Sequence, residues 1–357
     1  MEADRWKQRL PHTCQKVTHL MSLHRRFKAA RTFLANKYPG VIVCAVGGIC
    51  AEAISRHYGA PAMLIAVLIG LAIHFIYDLK KAQPGVDWTS RSVLRFGVAL
   101  LGLRIALSDV LSIGLTPLLL VLAAMAVTML TAALGARALG LTREFAALSG
   151  TSVAVCGASA AAAVASVLPQ NKETERQMAM VVAVVTLLAT VAMIFYPLLV
   201  SALELTPKDM GVVLGGTIHD VAQVVAAGNA ISDRIGELAT FVKLTRVSIL
   251  LPIVMGVYFW LGRSAARQEG AKVRYLPGFL IAFFLFAAAN SSNLVPPTVN
   301  AWASTISHYF LVVAITAIGV KTDLKSVMHV GWRPVALIVL ETVVLLAVVL
   351  GGVLAMR

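Results

Sequence analysis

Apolar stretches about as long as a bilayer is thick recur along almost the whole chain. They lie at 38–56, 61–77, 94–112, 116–136, 146–168, 178–203, 210–231, 238–262, 276–292, 300–320 and 334–356. About 20 apolar residues in a helix cross the ~30 Å hydrocarbon layer. Runs of this length predict an all-α polytopic membrane protein. The spans at 94–112, 146–168 and 210–231 are interrupted by glycine or polar residues, so the pattern gives ten to eleven transmembrane helices.

Ahead of the first span, Leu20, Leu23, Phe27, Ala30 and Leu34 recur at helical spacing opposite Lys and Arg. Residues 1–37 therefore read as a basic cytoplasmic tail with an interfacial amphipathic helix. They lack the apolar core of a signal peptide; a transit peptide is the weaker alternative. Residues 38–357 form the transmembrane domain.

Composition agrees: mean hydropathy is +0.82 and only 13% of residues are charged, against roughly 25% in a soluble domain. A net charge of +14 would suit nucleic acid until the positions are read. With the N-terminus in the cytoplasm and eleven crossings, 23 of the Lys and Arg residues fall on the inner side and 8 on the outer. That is the positive-inside bias of a plasma-membrane protein. Basicity here sets topology, so lipid is an expected partner and nucleic acid is not. Cys14, Cys44, Cys50 and Cys156 show no metal-ligand spacing, and no metal or other cofactor is expected.

Two segments match at a fixed offset: Leu101-Gly-Leu-Arg104 through Gly114, and Ile318-Gly-Val-Lys321 through Gly331. Gly102 aligns with Gly319, Arg104 with Lys321, Leu107 with Leu324, Val110 with Val327 and Gly114 with Gly331. The copies stand an odd number of crossings apart, which an inverted-topology repeat requires, and such repeats underlie many secondary transporters. Arg104 and Lys321 each close a copy and are candidate gates on opposite faces.

Polar residues at bilayer depth carry the candidate chemistry, because ionisable groups there are costly. In the span 210–231, Gly215, Gly216 and Thr217 are expected to break the helix, and the following half-helix then points its positive end at the gap, a geometry that suits an anion. His219, Asp220 and Gln223 follow at once. His219 and Gln223, four apart, would share a helix face. In the functional reading His219 and Asp220 exchange a proton while Gln223 holds the ligand. In the structural reading they form a buried pair tying two helices. The span 146–168 holds Ser152, Cys156, Gly157 and Ser159, either as small-residue packing or as a second break facing the first. Lys243 and Arg246, placed at the outer end of the eighth span, read either as cations snorkelling to headgroups or as a basic funnel for an anion. Glu341 lies inside the last span, with a structural pairing expected and no nameable partner.

Leu101-Gly-Leu-Arg104-Ile, Cys156-Gly-Ala-Ser-Ala160, His219-Asp-Val-Ala-Gln-Val224 and Lys243-Leu-Thr-Arg246-Val resemble the YeiH-type family of bacterial inner-membrane proteins. The resemblance covers about residue 38 to the C-terminus. It implies sulfate export. More distantly the arrangement is similar to sodium/proton antiporter and bile-acid symporter folds, which implies a scaffold domain and a core with two broken helices. From the resemblance Cys156, Gly157, Ser159, His219, Asp220, Gln223, Lys243 and Arg246 carry over as site residues.

The expected function is thus a secondary transporter, not an enzyme, exporting a small anion such as sulfate or sulfite by alternating access, with a second copy of the chain as an assembly partner. Protons are the expected coupling ion, since histidine titrates near neutrality when unperturbed. A sodium-coupled carrier of an organic anion and a passive anion channel stay open as rivals. No phosphate-binding loop for ATP is present.

Overall fold

The computed structural model describes residues 36–104, 114–169, 171–260, 278–292, 295–322 and 331–356. The amphipathic helix expected before residue 36 lies outside these residues. Every regular element among the described residues is helical.

In chain order the helices are α1 Asn36–Tyr58, α2 Ala62–Ala72, α3 Gln83–Trp88, α4 Leu94–Leu101, α5 Leu115–Ala138 and α6 Arg143–Thr151. They continue as α7 Ala158–Ala165, α8 Lys172–Ala202, α9 Pro207–Thr217, α10 Val221–Asn229 and α11 Asp233–Ser248. The last are α12 Leu250–Trp260, α13 Gly278–Ser291, α14 Pro297–Lys321 and α15 Trp332–Ala355. A π-helical turn, Thr89–Val93, joins α3 to α4, and another, Ser152–Cys156, extends α6. Ten of the eleven predicted spans fall on one of these helices or a consecutive pair, and of the span 94–112 the described part, to Arg104, holds α4 and one further turn. Six are long and apolar enough to cross a membrane by length and composition, α11 and α12 counting as one.

Several starts follow from local sequence. Thr142, Asn171, Thr206 and Ser232 each accept a hydrogen bond from the backbone N–H three residues on, opening α6, α8, α9 and α11. An acidic residue sits in each first turn, where the helix dipole favours it. These caps meet donors that would otherwise be orphaned at the helix end.

The helices pack as two bodies. In the first, α14 lies along α2 and α4, with α1 and α13 alongside. Backbones approach so closely that a Cβ on Gly319 would stand 2.5 Å from the Val67 carbonyl oxygen. A Cβ on Gly102 would stand 2.3 Å from that of Phe283. The two aligned repeat glycines therefore do the same work, clearing a neighbouring backbone. The repeat extends further than the sequence showed: α5 and α15 are 24 residues each and follow their copies at the same offset. Residues 105–113 and 323–330, which hold most of the aligned motif, lie outside the described residues.

The second body contains α5 to α12 and α15. Here α5 packs on α15, and α11 packs on both α9 and α10. α10 reaches across to touch α2 and α14 of the first body. Large apolar side chains such as Phe96, Leu115, Leu198 and Trp302 stand exposed on the outside, as a lipid-facing surface requires.

Candidate functional site

Two helices of the second body are interrupted. The first runs through α6 and its π turn to Cys156, then breaks at Gly157, whose φ of 60° and ψ of −125° belong to glycine. It resumes as α7. The second runs through α9 to Thr217, breaks over Ile218, His219 and Asp220, and resumes as α10.

The second break is displaced from its predicted position. Gly215, Gly216 and Thr217 stay helical. Gly215 serves contact instead, since a Cβ there would meet the Ala239 carbonyl oxygen at 2.3 Å and push α9 off α11. Thr217 Oγ1 donates back to the Val213 carbonyl at 2.6 Å. The chain leaves the helix at Ile218 because Asp220 competes for it: its Oδ1 accepts from the Ala222 N–H at 3.1 Å and caps α10. The two breaks face each other: a Cβ on Gly157 would stand 3.8 Å from the His219 carbonyl oxygen.

A broken helix buried in protein leaves carbonyls without partners at the end of its first half, and the two ends concentrate negative dipole charge. Lys243 and Arg246 meet both needs. Lys243 Nζ donates to the carbonyls of Val155 and, at 2.8 Å, Ile218. Arg246 donates to Ala154 from Nε at 2.9 Å and Nη2 at 2.6 Å, to Val153 at 2.9 Å, to Gly215 at 3.0 Å and to Ile218 at 3.3 Å. Five carbonyls from the two interrupted helices are thus tied to one turn of α11.

This corrects both sequence readings of the pair. Lys243 and Arg246 are fully buried, at neither a headgroup nor a funnel mouth. Lys243 lies ten residues into a helix that starts at Asp233, about 15 Å along it. A partial signal was available: Asp233, Arg234 and Glu237 already mark the charged end of this helix, six to ten residues before Lys243.

The remaining predicted residues diverge. His219 is buried and its Nε2 lies 3.1 Å from Thr342 Oγ1 on α15, while Nδ1 has no partner. Asp220, half-buried, turns to its own helix. Gln223 Nε2 donates to Thr190 Oγ1 on α8 at 3.0 Å, and its Oε1 is unpartnered. The break has separated the face that His219 and Gln223 would share on a continuous helix. Thr151 Oγ1 and Ser152 Oγ are buried without partners beside the first break. Cys156 and Gly157 are buried with them, whereas Ser159 is exposed. Glu341 finds the partner its sequence could not name: Ser149 Oγ donates to its Oε1 at 2.8 Å.

Arg104 and Lys321, the candidate gates, are both ion-paired. Arg104 lies 2.8 Å from Glu237 and 3.1 Å from Asp233, and so bridges the first body to α11. Lys321 lies 2.6 Å from Asp87. Beside the Arg104 pair, a cleft of ≈ 370 Å³ is lined by Arg104, Glu237, Asn300, Ala301 and Ser304.

Residues 39–338 match the family described as conserved hypothetical protein 698. The chain is 46% identical over 319 residues to the UPF0324 membrane protein TauZ of Paracoccus denitrificans, covering 88% of this chain and 94% of that one. It is 42% identical over 335 residues to a UPF0324 membrane protein of Chlorobaculum tepidum, covering 93% and 94%. It is 42% identical over 332 residues to one of Rhizobium meliloti, covering 92% and 96%. These matches agree with the YeiH-type resemblance of the motifs. No solved structure matches the chain.

Proposed function

This chain belongs to the UPF0324 family of membrane proteins, and we propose that it is a multi-pass secondary transporter of the bacterial inner membrane, with its N-terminus in the cytoplasm. It exports a small anion, a sulfur oxyanion such as sulfite or sulfate, by proton-coupled alternating access.

The meeting of two interrupted helices, break to break, over two buried cations carries this reading. An interrupted helix in a membrane is tolerated where its loose ends are held by protein or line an aqueous path. Lys243 and Arg246 give their hydrogens to carbonyls, and the guanidinium keeps its charge in a low-dielectric site where Asp220 is the one acidic side chain on the break itself. The field there favours an anion. The starts of α7 and α10 supply backbone N–H groups towards the same crossing.

Proton coupling is favoured over sodium by the same bonds. A sodium shell at the breaks would need opened carbonyls, and those of Val153, Ala154, Val155, Gly215 and Ile218 already accept from Lys243 and Arg246. Two fixed cations beside them would also repel sodium.

The direct test is uptake of labelled sulfite, sulfate and thiosulfate into proteoliposomes, with and without gradients of pH and sodium. Accumulation that follows the pH gradient and is lost in Asp220→Asn supports the proposal. Accumulation that follows sodium alone, or flux that only equilibrates, overturns it in favour of a symporter or a passive channel.

A further inference from the structure

Resting on that reading, we propose that Glu341, rather than the His219–Asp220 pair alone, carries the coupling proton, and that it does so at its unpartnered oxygen Oε2.

Glu341 is fully buried. It lies nine residues into a 24-residue helix, about 14 Å along it and so near bilayer mid-depth. One carboxyl oxygen accepts from Ser149, and the other has no partner. No cation among the described residues pairs with it. Among the described residues, the titratable side chains on the elements packed against this part of α15 are His219 and Asp220 at the break and Cys156 in the π turn, with Tyr196 nearer the end of α8. The charged residues of α5, α6, α8 and α9 all sit at the ends of those helices. Lys243 and Arg246 direct their nitrogens to carbonyls instead.

A carboxylate buried with neither cation nor second donor carries a large desolvation penalty, which a proton on Oε2 removes. A purely structural acid would have both oxygens engaged; this one keeps a vacancy. Its link to the crossing is short. Thr342, the next residue, sits against His219 Nε2, and Ser149 lies on the helix that runs into the Gly157 break. Loading forms an O–H bond at Oε2 of the carboxylate with a proton drawn from water on one side of the membrane. Unloading breaks that bond and returns the proton to water on the other side. The anion at the crossing and the proton on Glu341 thus occupy neighbouring but separate positions.

Infrared titration of the purified full chain tests proton binding without any transport assay. A protonated-carboxyl band is expected that fades as pH rises, is missing in Glu341→Gln and persists in Asp220→Asn. Spectra of wild type and Glu341→Gln that titrate identically would overturn the proposal, as would a band that answers to sodium but not to pH. In proteoliposomes, Glu341→Gln is expected to keep anion-for-anion exchange, which also shows that it folds, while losing uptake driven by a pH gradient. Glu341→Asp is expected to restore part of that uptake. Gradient-driven uptake that survives in Glu341→Gln would overturn the assignment. If wild type moves none of the anions, the proposed substrate class fails, and the infrared titration still decides whether Glu341 binds a proton.

Discussion

Arg246 holds the Ala154 carbonyl with two nitrogens at once, Nε at 2.9 Å and Nη2 at 2.6 Å. The remaining guanidinium nitrogen spans to the other interrupted helix at Gly215 and Ile218. A planar fork of fixed donors suits such a bridge, and the single ammonium of lysine does not.

Arg246→Met is therefore expected to destabilise the protein severely, by about 1–3 kcal/mol for each buried carbonyl left without a donor. Arg246→Lys should recover only part of that loss. Thermal unfolding in detergent ranks the three proteins, and equal midpoints would refute the bridging role.

Asp220 permits a separation of stability from coupling. Asparagine caps a helix as well as aspartate does, whereas loss of the cap costs about 0.5–2 kcal/mol. Asp220→Asn should keep the wild-type melting temperature and Asp220→Ala should lower it, while both lose proton-driven uptake.

Gly157→Ala tests backbone conformation alone. The added Cβ would sit 3.6 Å from Val185 and 3.8 Å from the His219 carbonyl, so there is room for it. The positive φ still costs about 1–3 kcal/mol. A loss of that size is expected by chemical denaturation, and an unchanged midpoint would show that the break relaxes freely.

The Arg104–Glu237 pair joins the two bodies and is largely shielded, with side-chain exposures of 17% and 12%. Its worth to stability is expected to stay within about 1 kcal/mol. Its rupture should instead change the rate at which the bodies move. Arg104→Gln and Glu237→Gln should alter initial uptake rates by similar factors, and the double variant should match either single one. Additive effects would mean that the pair does not act as a unit.

Much of this was legible beforehand. The spans followed from hydropathy because lipid admits so few backbone solutions, whereas Cys-Gly-Ala-Ser allowed both packing and a break until the positive φ of Gly157 decided for the break. The second break was misplaced by three residues because glycine both loosens a helix and lets helices touch. Only the neighbouring Ala239 carbonyl decides which role Gly215 plays. The role of Lys243 and Arg246 was hidden for a related reason. Their partners are backbone oxygens of distant segments, which have no signature in side-chain identity. Glu341 was seen but its partner was not, because Ser149 is 192 residues away and looks like any other small helical residue.

Because Lys243 and Arg246 are tied to peptide groups, their charge moves with the crossing whenever the second body moves. With Asp220 and an ionised Glu341 the four formal charges cancel, so an empty crossing would be indifferent to voltage. An exporter carries its anion outward with Glu341 ionised and returns with Glu341 protonated. A monovalent anion then takes one net negative charge out, and the proton brings one positive charge back. Each is worth about 2.3 kcal/mol per 100 mV across the full field, so an inside-negative membrane drives both half-cycles. A divalent anion gains twice that on its way out, so the membrane potential would favour it over hydrogen sulfite.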